Sequence, residues 1–134
     1  MQKIILKIDG IFLMLMGTLA GITDLVAYYT GKGPFGSAYY QNDITIGGFE
    51  AHCLAVITGY VLFSKSKADK VNFYTKIGLI THLVLGTANL LWFGVFFNTG
   101  TVAMGYITTI AHFTFAFLHI MAIYQKQTNS IGFR

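Results

Sequence analysis

Residues 44–63, ITIGGFEAHCLAVITGYVLF, decide the class of fold. This stretch is mostly apolar and as long as the roughly 20 helical residues that cross a hydrocarbon core of about 30 Å. It lacks the strict alternation that is typical of strands in a membrane β-barrel. A helix satisfies its own backbone in lipid, so we predict a membrane-spanning helix that carries Glu50 and His52.

The rest of the chain has the same character. Charged residues make up 10% of the 134 residues and apolar residues 54%, whereas a soluble domain has about 25% charged residues. The predicted spans are 4–29, 44–63, 73–97 and 102–124. With short connections, they predict one all-α domain over residues 1–134, an integral membrane antiparallel four-helix bundle. In the first span, Asp9 and the apolar run that continues to Tyr29 favour a retained helix over a cleaved signal.

Small residues predict where the helices touch. The first span carries Gly17-x-x-x-Gly21, and the second carries small residues at four-residue intervals, namely Gly47, Ala51, Ala55 and Gly59. Helices in lipid associate through close packing, which small residues permit.

Basic residues predict the orientation of the bundle. Eight of the nine Lys and Arg residues flank the ends that four spans bring together, and Lys32 alone lies at the opposite end. By the positive-inside rule, the N and C termini are both cytoplasmic. We therefore predict a multi-pass protein of the cell or inner membrane, with the lipid bilayer as its partner. The basic residues are too few, and too close to the spans, to indicate nucleic-acid binding.

Several polar side chains lie inside the predicted spans, where a charge is costly unless it is paired or hydrated. The candidate buried site consists of Glu50, His52, Asn89 and His112. The secondary candidates are Asp24, His82 and His119. Residues two apart on a helix point about 200° away from each other. Glu50 and His52 are therefore expected to face different neighbouring helices.

The histidines raise the question of a cofactor. His52 with His112, and His82 with His119, are matched in depth and could ligate haem. Tight seams of small residues leave little room for it, so haem stays an alternative and no metal is predicted. A single cysteine, Cys53, excludes an internal disulfide and a cysteine-based metal cluster.

Two segments resemble a known family. The pattern Ile46-Gly47-Gly48-Phe49-Glu50, followed by Gly59 and a short basic turn, is similar to DoxX-like small four-helix membrane proteins, as is GIFLMLMGTLAG at 10–21. The likeness covers the first two spans. A basic residue often follows the first-span glycines in that family, whereas Asp24 stands there in this chain. The resemblance implies a four-helix bundle associated with membrane redox or quinone chemistry, and it carries over Glu50 alone.

These observations leave four functions open. The first is binding or transformation of a lipophilic, quinone- or sterol-like molecule, with Glu50 and a histidine as general acid and base. The alternatives are a non-catalytic accessory or assembly subunit, a proton pathway, and a haem-binding protein. A homo-oligomer or a larger membrane complex would suit the accessory role. The sequence does not decide whether the protein is an enzyme.

Overall fold

The computed structural model describes the backbone of residues 1–131 and the side chains of residues 1–125. The helices are α1 (Gln2–Thr30), α2 (Gly36–Tyr39), α3 (Thr45–Lys65), α4 (Val71–Leu91), α5 (Gly94–Asn98) and α6 (Val102–Ile131). No strand occurs in the described part of the chain. The all-α prediction is confirmed.

Three helices of the described chain are long and apolar enough to cross a membrane: α1, α3 and the Val102–Gln125 part of α6. This agrees with the predicted membrane protein. The third predicted span, 73–97, is interrupted. Its main helix, α4, ends at Leu91, and the short α5 follows after Trp92 and Phe93. The helix α4, which carries the polar residues Thr81, His82 and Asn89, is not among these three.

The long helices pack as two pairs, α1 with α3 and α4 with α6, and α1 also contacts α4 and α6. The α1–α3 seam is a contact between backbones. A Cβ atom added at Gly59 would lie 2.7 Å from the carbonyl oxygen of Gly10, and one at Gly17 would lie 2.7 Å from that of His52. At Gly47, by contrast, an added Cβ would meet nothing within 4 Å. Gly17 and Gly59 thus make the predicted helix contact, and Gly47 does not.

Polar groups are concentrated in the interior. Leu6, Leu13 and Leu62 form a small apolar core. The most deeply buried polar side chains, each at most 1% exposed, are Asp9, Asp24, Thr75, His82 and His119. The outer surface carries large apolar side chains, of which Ile4 is 65% exposed and Ile107 67%. This distribution suits a lipid surrounding, since intramembrane ionisable groups turn toward the bundle interior.

Candidate functional site

Asp9 lies at the centre of the bundle and joins three helices. Its carboxylate is fully buried. The Oδ1 atom lies 2.6 Å from Nε2 of His82 on α4, and the Oδ2 atom lies 2.7 Å from Nε2 of His119 on α6. Both histidines are fully buried as well. Each oxygen of one carboxylate therefore holds one imidazole.

A third histidine extends this group. Nδ1 of His82 lies 3.0 Å from Nδ1 of His112, which is half-buried. The four residues form an unbroken chain of hydrogen bonds in the order His112, His82, Asp9, His119. We call this group the Asp9 chain.

An ionised carboxylate accepts hydrogen bonds and cannot donate them, and this fixes the direction of the whole chain. With Asp9 ionised, His82 and His119 donate to it from Nε2. A neutral His82 then accepts at Nδ1 from the Nδ1–H of His112. Nδ1 of His119 is buried and has no hydrogen-bond partner among the described residues. Every donor in the chain thus points toward Asp9.

Aromatic rings and a glycine shape the surroundings of the Asp9 chain. The ring of Phe115 stacks on His82 at a centroid distance of 5.0 Å, and Phe12 packs on Phe115 at 4.8 Å. A Cβ atom at Gly78 would overlap Nε2 of His119 and lie 3.1 Å from Oδ2 of Asp9. Gly78 therefore leaves the space that His119 occupies. The site is tightly packed around the carboxylate.

The ligand-type atoms of Asp9, His82 and His119 all lie within 4.8 Å of one another, close enough to consider a metal ion. The separations of 2.6 and 2.7 Å between Asp9 oxygens and histidine nitrogens are those of hydrogen bonds. In a tetrahedral zinc site with bonds of about 2.0–2.1 Å, neighbouring ligand atoms are roughly 3.3 Å apart. The arrangement suits shared protons better than a metal ion.

The histidine pairs proposed for haem do not face a common space. His82 and His119 both direct Nε2 at Asp9, so an iron atom between them would displace the carboxylate. His52 directs Nδ1 at Asp24 rather than toward His112. The cavity between α1 and α3 and the groove on α6 include none of these histidines.

A second polar pair lies near the other end of α1. Asp24 is 1% exposed, and its Oδ2 atom lies 2.6 Å from Nδ1 of His52 on α3. The hydroxyl of Tyr39 points at the same region, because it and Asp24 Oδ2 both lie within 3.5 Å of the Cβ position of Gly48. Burial raises the pKa of Tyr39, and the nearby charge of Asp24 raises it further.

The predicted site residues are therefore distributed over separate places. Glu50 is exposed, which differs from its predicted burial. The reason is geometric. His52 faces α1, and Glu50 points about 200° away from it. Asn89 donates to Oγ1 of Thr108 at 3.1 Å and links α4 to α6. Only His112, of the four main candidates, belongs to the Asp9 chain.

The secondary candidates Asp24, His82 and His119 all have hydrogen-bond partners, and Asp9 itself was missing from the predicted site. A sequence signal for it existed. Asp9 lies seven residues into α1 from its N-terminal end, which is the end shared with the deeper histidines His82 and His119. Its depth, roughly 30 Å from the Tyr29 end of the first span, lies on the same side of the bundle as these two histidines and near their level.

The sequence matches no protein-family model, and no curated protein or solved structure is similar enough to indicate a relationship. The function therefore has to be inferred from the geometry of the site, and the DoxX-like resemblance stays a prediction.

Proposed function

We propose that this protein conducts protons within the membrane through the Asp9 chain. The observation that carries the proposal is the unbroken hydrogen bonding of four titratable groups, with separations of 3.0, 2.6 and 2.7 Å. Ionisable residues inside a membrane bundle are typical of proton relays.

The reach of the chain supports this function. His112 and His119 are seven residues apart on α6, which corresponds to roughly 10 Å along the helix axis. That is about a third of a hydrocarbon core of about 30 Å. The Asp9 chain thus spans a substantial part of the distance over which the membrane interior holds no bulk water to carry protons.

The transfer needs only N–H and O–H bonds to form and break. An imidazole takes a proton on one ring nitrogen and gives up the proton of the other. A carboxyl group takes one on one oxygen and releases one from the other. A proton that enters at Nε2 of His112 shifts one proton from Nδ1 of His112 to Nδ1 of His82 and one from Nε2 of His82 to Oδ1 of Asp9, which becomes neutral. His119 then changes tautomer, so that its proton moves from Nε2 to Nδ1. The carboxyl group donates from Oδ2 to the freed Nε2 of His119, and the proton on Nδ1 of His119 leaves. The net change is one proton moved, and the hydrogens then reorient to restore the starting state.

Because its central groups are buried, the Asp9 chain is less suited to catalysis on a bound substrate than to proton transfer. Asp9, His82 and His119 are fully enclosed, so a substrate cannot reach them. Glu50, the expected acid or base for a lipophilic substrate, is exposed and separate from His112. Proton transfer along the Asp9 chain needs no substrate to enter, so enclosed groups can perform it.

The proposal includes a topology of four spans with cytoplasmic termini. Two observations support it. The 21 residues of α4 are sufficient in length for a span, and α4 turns Thr75, Gly78 and His82 to the buried interior. The Lys-rich ends of the helices then lie on one side, as the positive-inside rule requires.

The test is proton flux into liposomes that contain the purified full-length chain and a trapped pH dye, with the membrane potential clamped. We expect flux above that of empty liposomes. Asp9→Asn should lower it about a hundredfold, because the amide cannot accept and release a proton as a carboxyl group does.

The matched control is Glu50→Gln, which makes the same carboxyl-to-amide change at an exposed position. It should leave the flux unchanged. His82→Gln should abolish flux, with His52→Gln as its control outside the chain. Equal flux in the wild type and Asp9→Asn, or none in a folded wild type, would overturn the proposal and favour the accessory role.

A further inference from the structure

A cavity of about 360 Å³ lies between α1 and α3, at the end of the bundle that carries the Gly31–Ile44 loop. Its size falls within the about 300–1,000 Å³ of typical small-molecule sites. Most of its wall is apolar, including Leu25 and Ile46. It is separate from the Asp9 chain, because Leu25 lies 16 residues after Asp9 on α1, roughly 24 Å along the axis.

Three aromatic side chains line this cavity, namely Tyr28, Tyr29 and Phe49. The rings of Tyr28 and Tyr29 meet edge to face, with centroids 5.0 Å apart and planes at 87°. Aromatic faces carry partial negative charge and attract cations, most strongly cations with a weak hydration shell such as substituted ammonium groups. The cavity therefore offers a surface suited to an organic cation.

The one charged side chain among the lining residues is acidic, and it lies beside the neutral polar residues Asn42 and Thr45. Asp43 lines the cavity, and its carboxylate makes no hydrogen bond or ion pair with any residue that the structure describes. The C-terminal end of α1, which follows Tyr29, contributes the negative pole of one helix dipole, and the N-terminal end of α3 at Thr45 contributes the positive pole of another. No basic side chain lines the cavity.

We infer that this cavity binds an organic cation, recognised by its ammonium group between the aromatic rings and Asp43 and by its apolar body along Leu25 and Ile46. The ammonium group can belong to a free amine or to a lipid headgroup. The inference does not depend on proton transfer, since none of these residues is in the Asp9 chain.

The test uses choline as the probe, with 3,3-dimethylbutan-1-ol as the neutral molecule of the same shape. Binding to the full-length chain is measured in nanodiscs of phosphatidylglycerol, which lack choline lipid. We expect saturable binding of choline and none of the alcohol. Asp43→Asn should weaken choline binding about fivefold, as loss of an exposed charge partner of about 1 kcal/mol implies.

Asp69→Asn is the matched control, because Asp69 is an exposed aspartate at the other end of the bundle. It should bind choline as the wild type does. Phe49→Leu tests the aromatic part of the site and should also weaken binding, while circular dichroism verifies that each variant is folded.

Repeating the titration in nanodiscs of phosphatidylcholine distinguishes the two sources of the cation. Weaker apparent binding of free choline there supports the inference with a lipid headgroup as the natural occupant. Unchanged binding supports it with a free amine. Equal binding of choline and the neutral alcohol, or of choline by wild type and Asp43→Asn, would overturn the inference. Asp43 would then serve only to offset the positive pole of the helix dipole at the start of α3.

Discussion

Gly78 determines whether the Asp9 chain can form, because it is the position on α4 next to His119. The imidazole is fully buried and held by Asp9, so it cannot move aside for a methyl group. Gly78→Ala should push His119 away from the carboxylate, abolish proton flux and destabilise the fold by about 1–3 kcal/mol. Thermal unfolding in detergent and the liposome assay measure these effects.

Gly94→Ala is the control for this substitution, because an added Cβ there meets nothing within 4 Å. It should leave the flux and the unfolding temperature unchanged. Normal flux in Gly78→Ala would mean that His119 is not held where the structure places it.

Tyr39 reports on the charge of Asp24. Burial is the larger cause of its raised pKa and the Asp24 charge the smaller. Asp24→Asn should therefore lower the pKa of Tyr39 without returning it to the ordinary value. Deprotonation would then begin at lower pH. The measurement is the absorbance at 295 nm as a function of pH. In the wild type and in Asp24→Asn, the curve of the matching Tyr39→Phe variant is subtracted, which leaves the signal of Tyr39. A pKa of Tyr39 that is the same with and without Asp24 would contradict the contact.

Single residues also show what the sequence could and could not reveal. Spacing along one helix correctly indicated that Glu50 and His52 face different ways. It could not say which of them faces inward, because that depends on the rotation of α3 against α1. The partners of Asp9 lie 73 and 110 residues away, so the sequence signals these contacts only through the depth of Asp9 along its helix.

The α1–α3 seam makes a prediction at the scale of the element. Gly59 touches the Gly10 backbone, so Gly59→Ala should force the helices apart and cost about 1–3 kcal/mol. Gly47→Ala in the same helix has free space and should be neutral or slightly stabilising, since alanine favours helix more than glycine does. Unfolding of both variants in detergent provides the comparison. Equal effects would mean that the seam is not the close contact described.

Helices were the most predictable level of the structure. Apolar run length placed α1, α3 and the start of α6 to within a few residues, because each run is bounded by polar or turn-forming residues, whereas α6 continues to Ile131 beyond the predicted end at Tyr124. The break at Trp92 and Phe93 was not visible in the sequence, since aromatic residues fit an apolar span as well as a bend. Small residues at four-residue spacing indicated a contact face, but 3.6 residues per turn rotates Gly47 out of the seam that Gly59 occupies.

At the scale of the whole molecule, the proposed topology can be tested by labelling. In a Cys53→Ser background, Ser37→Cys lies in the Gly31–Ile44 loop and Lys67→Cys in the turn between α3 and α4, and both positions are exposed. A membrane-impermeant maleimide added to intact cells should label the first. The second should react only after permeabilisation. The opposite pattern would reverse the orientation, and labelling of both would contradict a spanning α3.

The central position of α1 has a consequence for biosynthesis. This helix is synthesised before α6 and carries Asp9 and Asp24, which are both buried. The histidine that completes the Asp9 chain follows 110 residues later. Until α6 is made, Asp9 lacks one of its two partners in an environment where an unpaired charge is costly. The order of synthesis thus makes α6 a checkpoint, because a chain that stops before α6 retains an incompletely paired Asp9.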